Sequence, residues 1–163
     1  MSSFGSALRA LNLMKEERVI DEYAIAGAMA LVFWVEPVPT YDLDVLVFLP
    51  RGEGQVLSLD PLYRWAGARG YPAKEEHILI EGLPTQLVPS PNPLSDEAIT
   101  SAEIRDYEGV AVRVVRPEYL VALYLQPGAD TRKRRERVAT LLEWPALNRS
   151  LLNEILSRYG LSL

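Results

Sequence analysis

Asp42-Leu43-Asp44 opens an unbroken apolar run, Val45-Leu46-Val47-Phe48-Leu49, and thirteen residues separate it from an upstream Gly27-Ala28. The run is rich in β-branched residues and reads as a buried strand. Residues two apart on a strand point to one face, so Asp42 and Asp44 project together with Cα atoms roughly 6.5–7 Å apart. Two carboxylates held this way repel unless a cation lies between them. Mg²⁺ fits that role, because it takes hard oxygen ligands and shares its sphere with substrate phosphates. Gly27 supplies the other half of such a site, a turn where backbone can approach a phosphate closely.

The rest of the chain reads as a mixed α/β core with a helical tail. Leu8, Leu11, Leu13 and Met14 give residues 4–17 an amphipathic helical spacing. A short strand over 23–26 leads into a helix from Gly27 to Trp34, which Pro37 and Pro39 terminate. Arg51-Gly52-Glu53-Gly54 is a turn and lacks the ending of a phosphate-binding P-loop. Asp60-Pro61 is expected to cap a helix that ends near Gly67 or Gly70. Residues 77–80 and 85–88 form two strands joined as a hairpin through Glu81-Gly82-Leu83-Pro84. A proline-rich loop over 89–93 precedes a helix expected from Ser95 to about Arg105, and 110–115 is a further strand. Helices follow over 117–126, 130–143 and 149–159, the last capped by Asn148 and stopped by Gly160.

Composition narrows the functional classes. The 163 residues suffice for one domain, read as a core over 1–116 and a helical segment over 117–163. With no cysteine in the chain, disulfides, zinc–thiolate sites and thiol catalysis are excluded. The single histidine, His77, cannot build a multi-histidine metal site and reads as a polar strand-end residue beside Glu75 and Glu76. A net charge of −5 argues against a protein that coats nucleic acid. One local exception is Arg132-Lys133-Arg134-Arg135-Glu136-Arg137, five cations at a helix start. The helix dipole disfavours cations there unless an anion compensates. The bland alternative is a solvated face. No signal peptide is evident, and the longest apolar stretch, 24–35, is too short to cross a bilayer, so a cytoplasmic location is expected.

Tyr23-Ala24-Ile25-Ala26-Gly27-Ala28-Met29-Ala30 followed by Thr40-Tyr41-Asp42-Leu43-Asp44-Val45-Leu46-Val47 resembles the signature of the DNA polymerase beta-like nucleotidyltransferase superfamily. The likeness is to its small bacterial members, the minimal nucleotidyltransferases often found in toxin–antitoxin pairs. Residues 117–125, with Lys133 beyond them, resemble the helical segment that follows the sheet in such proteins. The resemblance implies a mixed nucleotidyltransferase-type sheet with flanking helices and a small C-terminal helical segment. It implies transfer of a nucleoside monophosphate from a nucleoside triphosphate to a hydroxyl on RNA, protein or a small molecule. Asp42 and Asp44 would be catalytic and hold Mg²⁺, Gly27 and Ala28 would line the phosphates, and Lys133 would reach the triphosphate. In the superfamily a third carboxylate completes a two-metal site. The strand expected to carry it is 85–88, whose polar candidate is Gln86; Glu81 lies nearby in the hairpin turn. Tyr124 stands where the family usually has a lysine. These departures leave a second reading open, a non-catalytic nucleotide- or partner-binding protein on the same fold.

Overall fold

The computed structural model describes residues 3–35, 42–50, 58–128 and 131–163; Pro37, Pro39, Thr40, Tyr41 and the turn expected at 51–54 lie outside the described residues. Seven strands form one mixed sheet. In chain order they are β1 (Glu22–Ala26), β2 (Leu43–Phe48), β3 (Ala73–Lys74), β4 (His77–Ile80), β5 (Leu83–Pro89), β6 (Glu103–Tyr107) and β7 (Val110–Val114). Their order across the sheet is β3-β4-β5-β2-β1-β7-β6. The β2–β5 and β1–β7 pairs are parallel, and the other pairs are antiparallel.

The central strands are apolar because both of their faces are covered. Ala24, Ile25, Leu43, Val45 and Val47 are essentially sealed from solvent. Helix α1 (Ser3–Glu16) buries Leu8, Leu11 and Met14 against the sheet, and α2 (Gly27–Trp34) packs on β1 and β2. Helix α3 (Asp60–Ala68) lies on β4, and α4 (Pro93–Thr100) on β1 and β2. The tail consists of α5 (Pro117–Leu125), α6 (Arg132–Glu143) and α7 (Arg149–Tyr159); α5 contacts both of the others and also α2 and α4. Asn148 caps α7 through its side chain, which accepts from the Leu151 N–H, and Gly160 closes the helix at φ +64°. Those two expectations hold.

Three local expectations need correction. Asp60 is not the cap of α3 but its first residue; Leu59 occupies the cap position without a side-chain bond, and the Asp60 N–H donates to Ser58 Oγ at 3.1 Å. The helix expected to reach Arg105 stops at Thr100, where the Thr100 and Ser101 hydroxyls donate back to the Asp96 and Glu97 carbonyls. Residues 103–107 instead form β6, hairpinned to β7. The loop expected over 89–93 is shorter than that, since β5 runs through Pro89 and α4 begins at Pro93, capped by Asn92. The β4–β5 and β6–β7 hairpins each turn on a Glu-Gly pair with positive φ at both residues, Glu81-Gly82 and Glu108-Gly109. That is the primed turn geometry that matches strand twist.

Candidate active site

The site is built where β1 ends and β2 begins. Ala26 pairs directly with Asp44, so the next residue, Gly27, meets the Asp44 side chain as the chain turns into α2. Gly27 is held at φ +61°, and a Cβ there would lie 2.5 Å from Asp44 Oδ2. Glycine is therefore required twice over, by backbone conformation and by the carboxylate pressed against it. Ala26 offers no side-chain cap to α2. The first-turn N–H groups and the positive end of the helix dipole thus lie beside the carboxylates, an arrangement suited to phosphate oxygens. Ala28 is buried, so only its backbone could serve a ligand.

Asp42 immediately precedes β2 and is half exposed, while Asp44 is partly buried within the strand. Burial pushes the Asp44 pKa up, the charge of Asp42 pushes it further, and His77 and Arg137 oppose the shift. Asp44, deprived of solvent and close to a like charge, is held in a setting that favours added positive charge. The hard oxygen donors of Asp42 and Asp44 fit a divalent cation.

The strand beside β2 carries Gln86 opposite Asp44, so the residue sharing Asp44's row is a neutral amide. Ile78 pairs with Thr85, and the same register one residue further brings His77 beside Gln86. Residues paired across a sheet point to one face. Asp44, Gln86 and His77 consequently share it, and His77 Nε2 lies 4.0 Å from Asp42 Oδ2. Glu81 sits at the tip of the β4–β5 hairpin, exposed, where it accepts a hydrogen bond from Tyr71 Oη at 3.0 Å. It is engaged there with Tyr71. Among the described residues no three histidine or acidic side chains stand as a ready-made metal cage.

The tail contributes cations and a tyrosine. Lys133 is exposed. Arg137, one helical turn further along α6, acts electrostatically on both Asp44 and Tyr124. The Tyr124 hydroxyl is buried, with Arg137 as its polar neighbour. Burial raises its pKa, and Arg137 is the chief influence in the other direction. Sequence reasoning gave His77 no role and favoured Lys133 over Arg137. Carrying the 77–88 hairpin register to its first residue would have found His77, and the i,i+4 spacing from Lys133 pointed to Arg137.

No protein-family model matches the sequence, and no curated protein matches it significantly. Solved structures do resemble it in three dimensions. The crystal structure of ANT(2″)-Ia in complex with adenylyl-2″-tobramycin aligns with a TM-score of 0.61 over 98% of each chain, at 16% identity. The fold is that of the nucleotidyltransferases. An antigenic nucleotidyltransferase-like protein from Paracoccidioides brasiliensis aligns with a TM-score of 0.58 at 14% identity, covering 94% of this chain and 85% of that one. The solution structure of the antibiotic-resistance factor ANT(2″)-Ia gives 0.54 at 16% identity over 98% and 93%. At such identities the likeness is one of fold. Within it, the mixed sheet with flanking helices and a C-terminal helical segment is as the sequence resemblance implied. No helix among the described residues is long and apolar enough to cross a membrane.

Proposed function

We propose that this protein binds a nucleoside triphosphate with Mg²⁺ beside Gly27 and Asp44 and transfers the nucleoside monophosphate to a hydroxyl of an RNA or protein acceptor in the cytoplasm. The observation that carries the reading is the contact of Gly27 with Asp44. It sets an uncapped helix start, suited to phosphates, against a carboxylate in want of a cation. Asp42 and Asp44 would hold the metal, and the backbone N–H groups at Gly27 and Ala28 would receive phosphate oxygens. Bound Mg²⁺ would supply neutralisation of phosphate charge. Arg137, which acts on Asp44, and Lys133 would add positive charge from α6. In the reaction the acceptor oxygen bonds to the α-phosphorus, the bond from that phosphorus to pyrophosphate breaks, and the hydroxyl proton is released.

A second reading is favoured by Gln86. A neutral amide in the row of Asp44 suits a protein that binds nucleotide without transferring it, as a toxin–antitoxin component or another non-catalytic partner could. Calorimetry of nucleoside triphosphate binding, with and without Mg²⁺, tests the shared part. Wild type should bind in a Mg²⁺-dependent manner, and Asp42→Ala should lose that dependence. Equal binding by both proteins would sink the site. Transfer of radiolabelled nucleotide to RNA or protein, abolished by Asp44→Ala, separates enzyme from binder.

A further inference from the structure

The row that passes through Asp44 has a neutral amide where a carboxylate is expected, and Glu81 is engaged elsewhere by Tyr71. Beside Asp42 on that face stands another metal-ligating side chain, His77. His77 opens β4 with its ring mostly covered, Nε2 towards Asp42 and Nδ1 towards Glu76. We propose that His77 supplies the third protein ligand of the cation held by Asp42 and Asp44, making a site of two carboxylates and one imidazole that takes Mn²⁺ in preference to Mg²⁺. The inference rests on the reading that these aspartates bind a divalent cation.

The separation of His77 and Asp42 is what supports it. Two donors on opposite sides of an ion, each at about 2.1 Å, are separated by about 4.2 Å. His77 Nε2 and Asp42 Oδ2 are 4.0 Å apart. Asp44 lies two residues on from Asp42 and projects to the same side. Among the described residues the three side chains are not placed as a ready-made cage, so the site requires them to turn towards the ion. A ligating imidazole commonly gives its other N–H to a carboxylate, which fixes the ring. Glu76 Oε1, 3.7 Å from Nδ1, is the carboxylate on that side of the ring. Replacing one oxygen donor by imidazole changes selectivity, since Mg²⁺ keeps to oxygen whereas nitrogen ligands suit transition metals better.

The chain holds a single histidine, so any imidazole nitrogen bound to a paramagnetic ion is that of His77. Pulsed EPR of the full chain loaded with Mn²⁺ should show the coupling of one directly bound ¹⁴N. Histidine labelled with ¹⁵N should shift it, and His77→Ala should abolish it. By calorimetry His77→Ala should weaken Mn²⁺ binding by about tenfold or more, and Mg²⁺ binding much less. His77→Asp, which restores an oxygen donor, should retain metal and move the preference to Mg²⁺; circular dichroism of both variants confirms folding. Mn²⁺ binding that needs Asp42 yet shows no nitrogen coupling would overturn the imidazole ligand and leave the carboxylate site standing. Failure of the wild type to bind Mn²⁺ or Mg²⁺ at all would overturn both.

Discussion

Two carboxylates in this molecule live in opposite circumstances. Glu97, on α4, receives Tyr159 Oη and Arg158 Nη1 at 2.6 Å each and Tyr119 Oη at 3.2 Å, which ties α4 to α5 and α7. Asp44, on β2, has Asp42 for a close neighbour and a glycine backbone pressed against it, and its pKa rises by burial and by that like charge. The first is a finished structural joint. The second is a position that the folded chain holds at a cost and that an outside cation would relieve. Carboxylates that build a protein are surrounded by donors, whereas Asp44 is set against a like charge and a glycine backbone.

The sharpest way to break this contrast is to remove the joint. Glu97→Ala should destabilise the fold by about 2 kcal/mol, because two tyrosine hydroxyls and an arginine lose their acceptor. Chemical denaturation measures the loss, and metal affinity below the transition should be unchanged. A variant that loses cation binding while still folded would show that the two regions are not separate.

A smaller effect concerns the tail. Arg137→Ala should weaken nucleoside triphosphate binding by about tenfold, and more than Lys133→Ala, because Arg137 is the cation that acts on Asp44. The difference should shrink as salt rises. Unchanged binding in both variants at low salt, measured by calorimetry, would return the whole basic run to a solvated face.

The smallest effect is one of sign. Asp44→Asn should leave stability unchanged or raise it by under about 1 kcal/mol, since it removes the charge that burial and Asp42 disfavour. For the wild type, a raised folded-state pKa means that the native protein holds this proton more tightly than the unfolded chain. The contribution of Asp44 to stability therefore falls as pH climbs from the ordinary carboxylate range through the raised value, and is regained on acidification. Divalent cation should offset that fall at neutral pH. Thermal melts of wild type and Asp44→Asn across mildly acidic pH test it; a stabilising contribution of Asp44 that grows with pH would reverse the argument.

Much of this was legible in the sequence, and the exceptions have physical causes. Gly27 and the Asp42/Asp44 pair stand out because a glycine between a strand and a helix, followed by two carboxylates on an apolar strand, does little for a hydrophobic core and much for a charged ligand. β6 escaped detection because Glu103–Asp106 is an exposed edge strand, with no buried face to impose alternation. Ser101 and Ala102 also carry no helix-breaking signal. The clue that remained was Glu108-Gly109 ahead of Val110, the same turn pair that joins β4 to β5. The position of His77 beside Asp42 was not legible for another reason. Its meaning depends on register across β4, β5 and β2, and strand pairing is a property of the assembled sheet.

The row from Ala26 through Asp44 and Gln86 to His77 also has a history in time. β5 lies between β2 and β4 and joins β2 in parallel, so it can seat only after the chain has crossed back by way of α3. A nascent chain that has emerged as far as β2 holds both aspartates and the glycine but no neighbour for them on the β5 side. That neighbour arrives with residues 77–89, and Arg137 only after a further helix, hairpin and helix have been made. Pairings between distant segments form slowly. The growing polypeptide thus carries its acidic pair well before it carries the strands and helices that surround that pair in the folded chain.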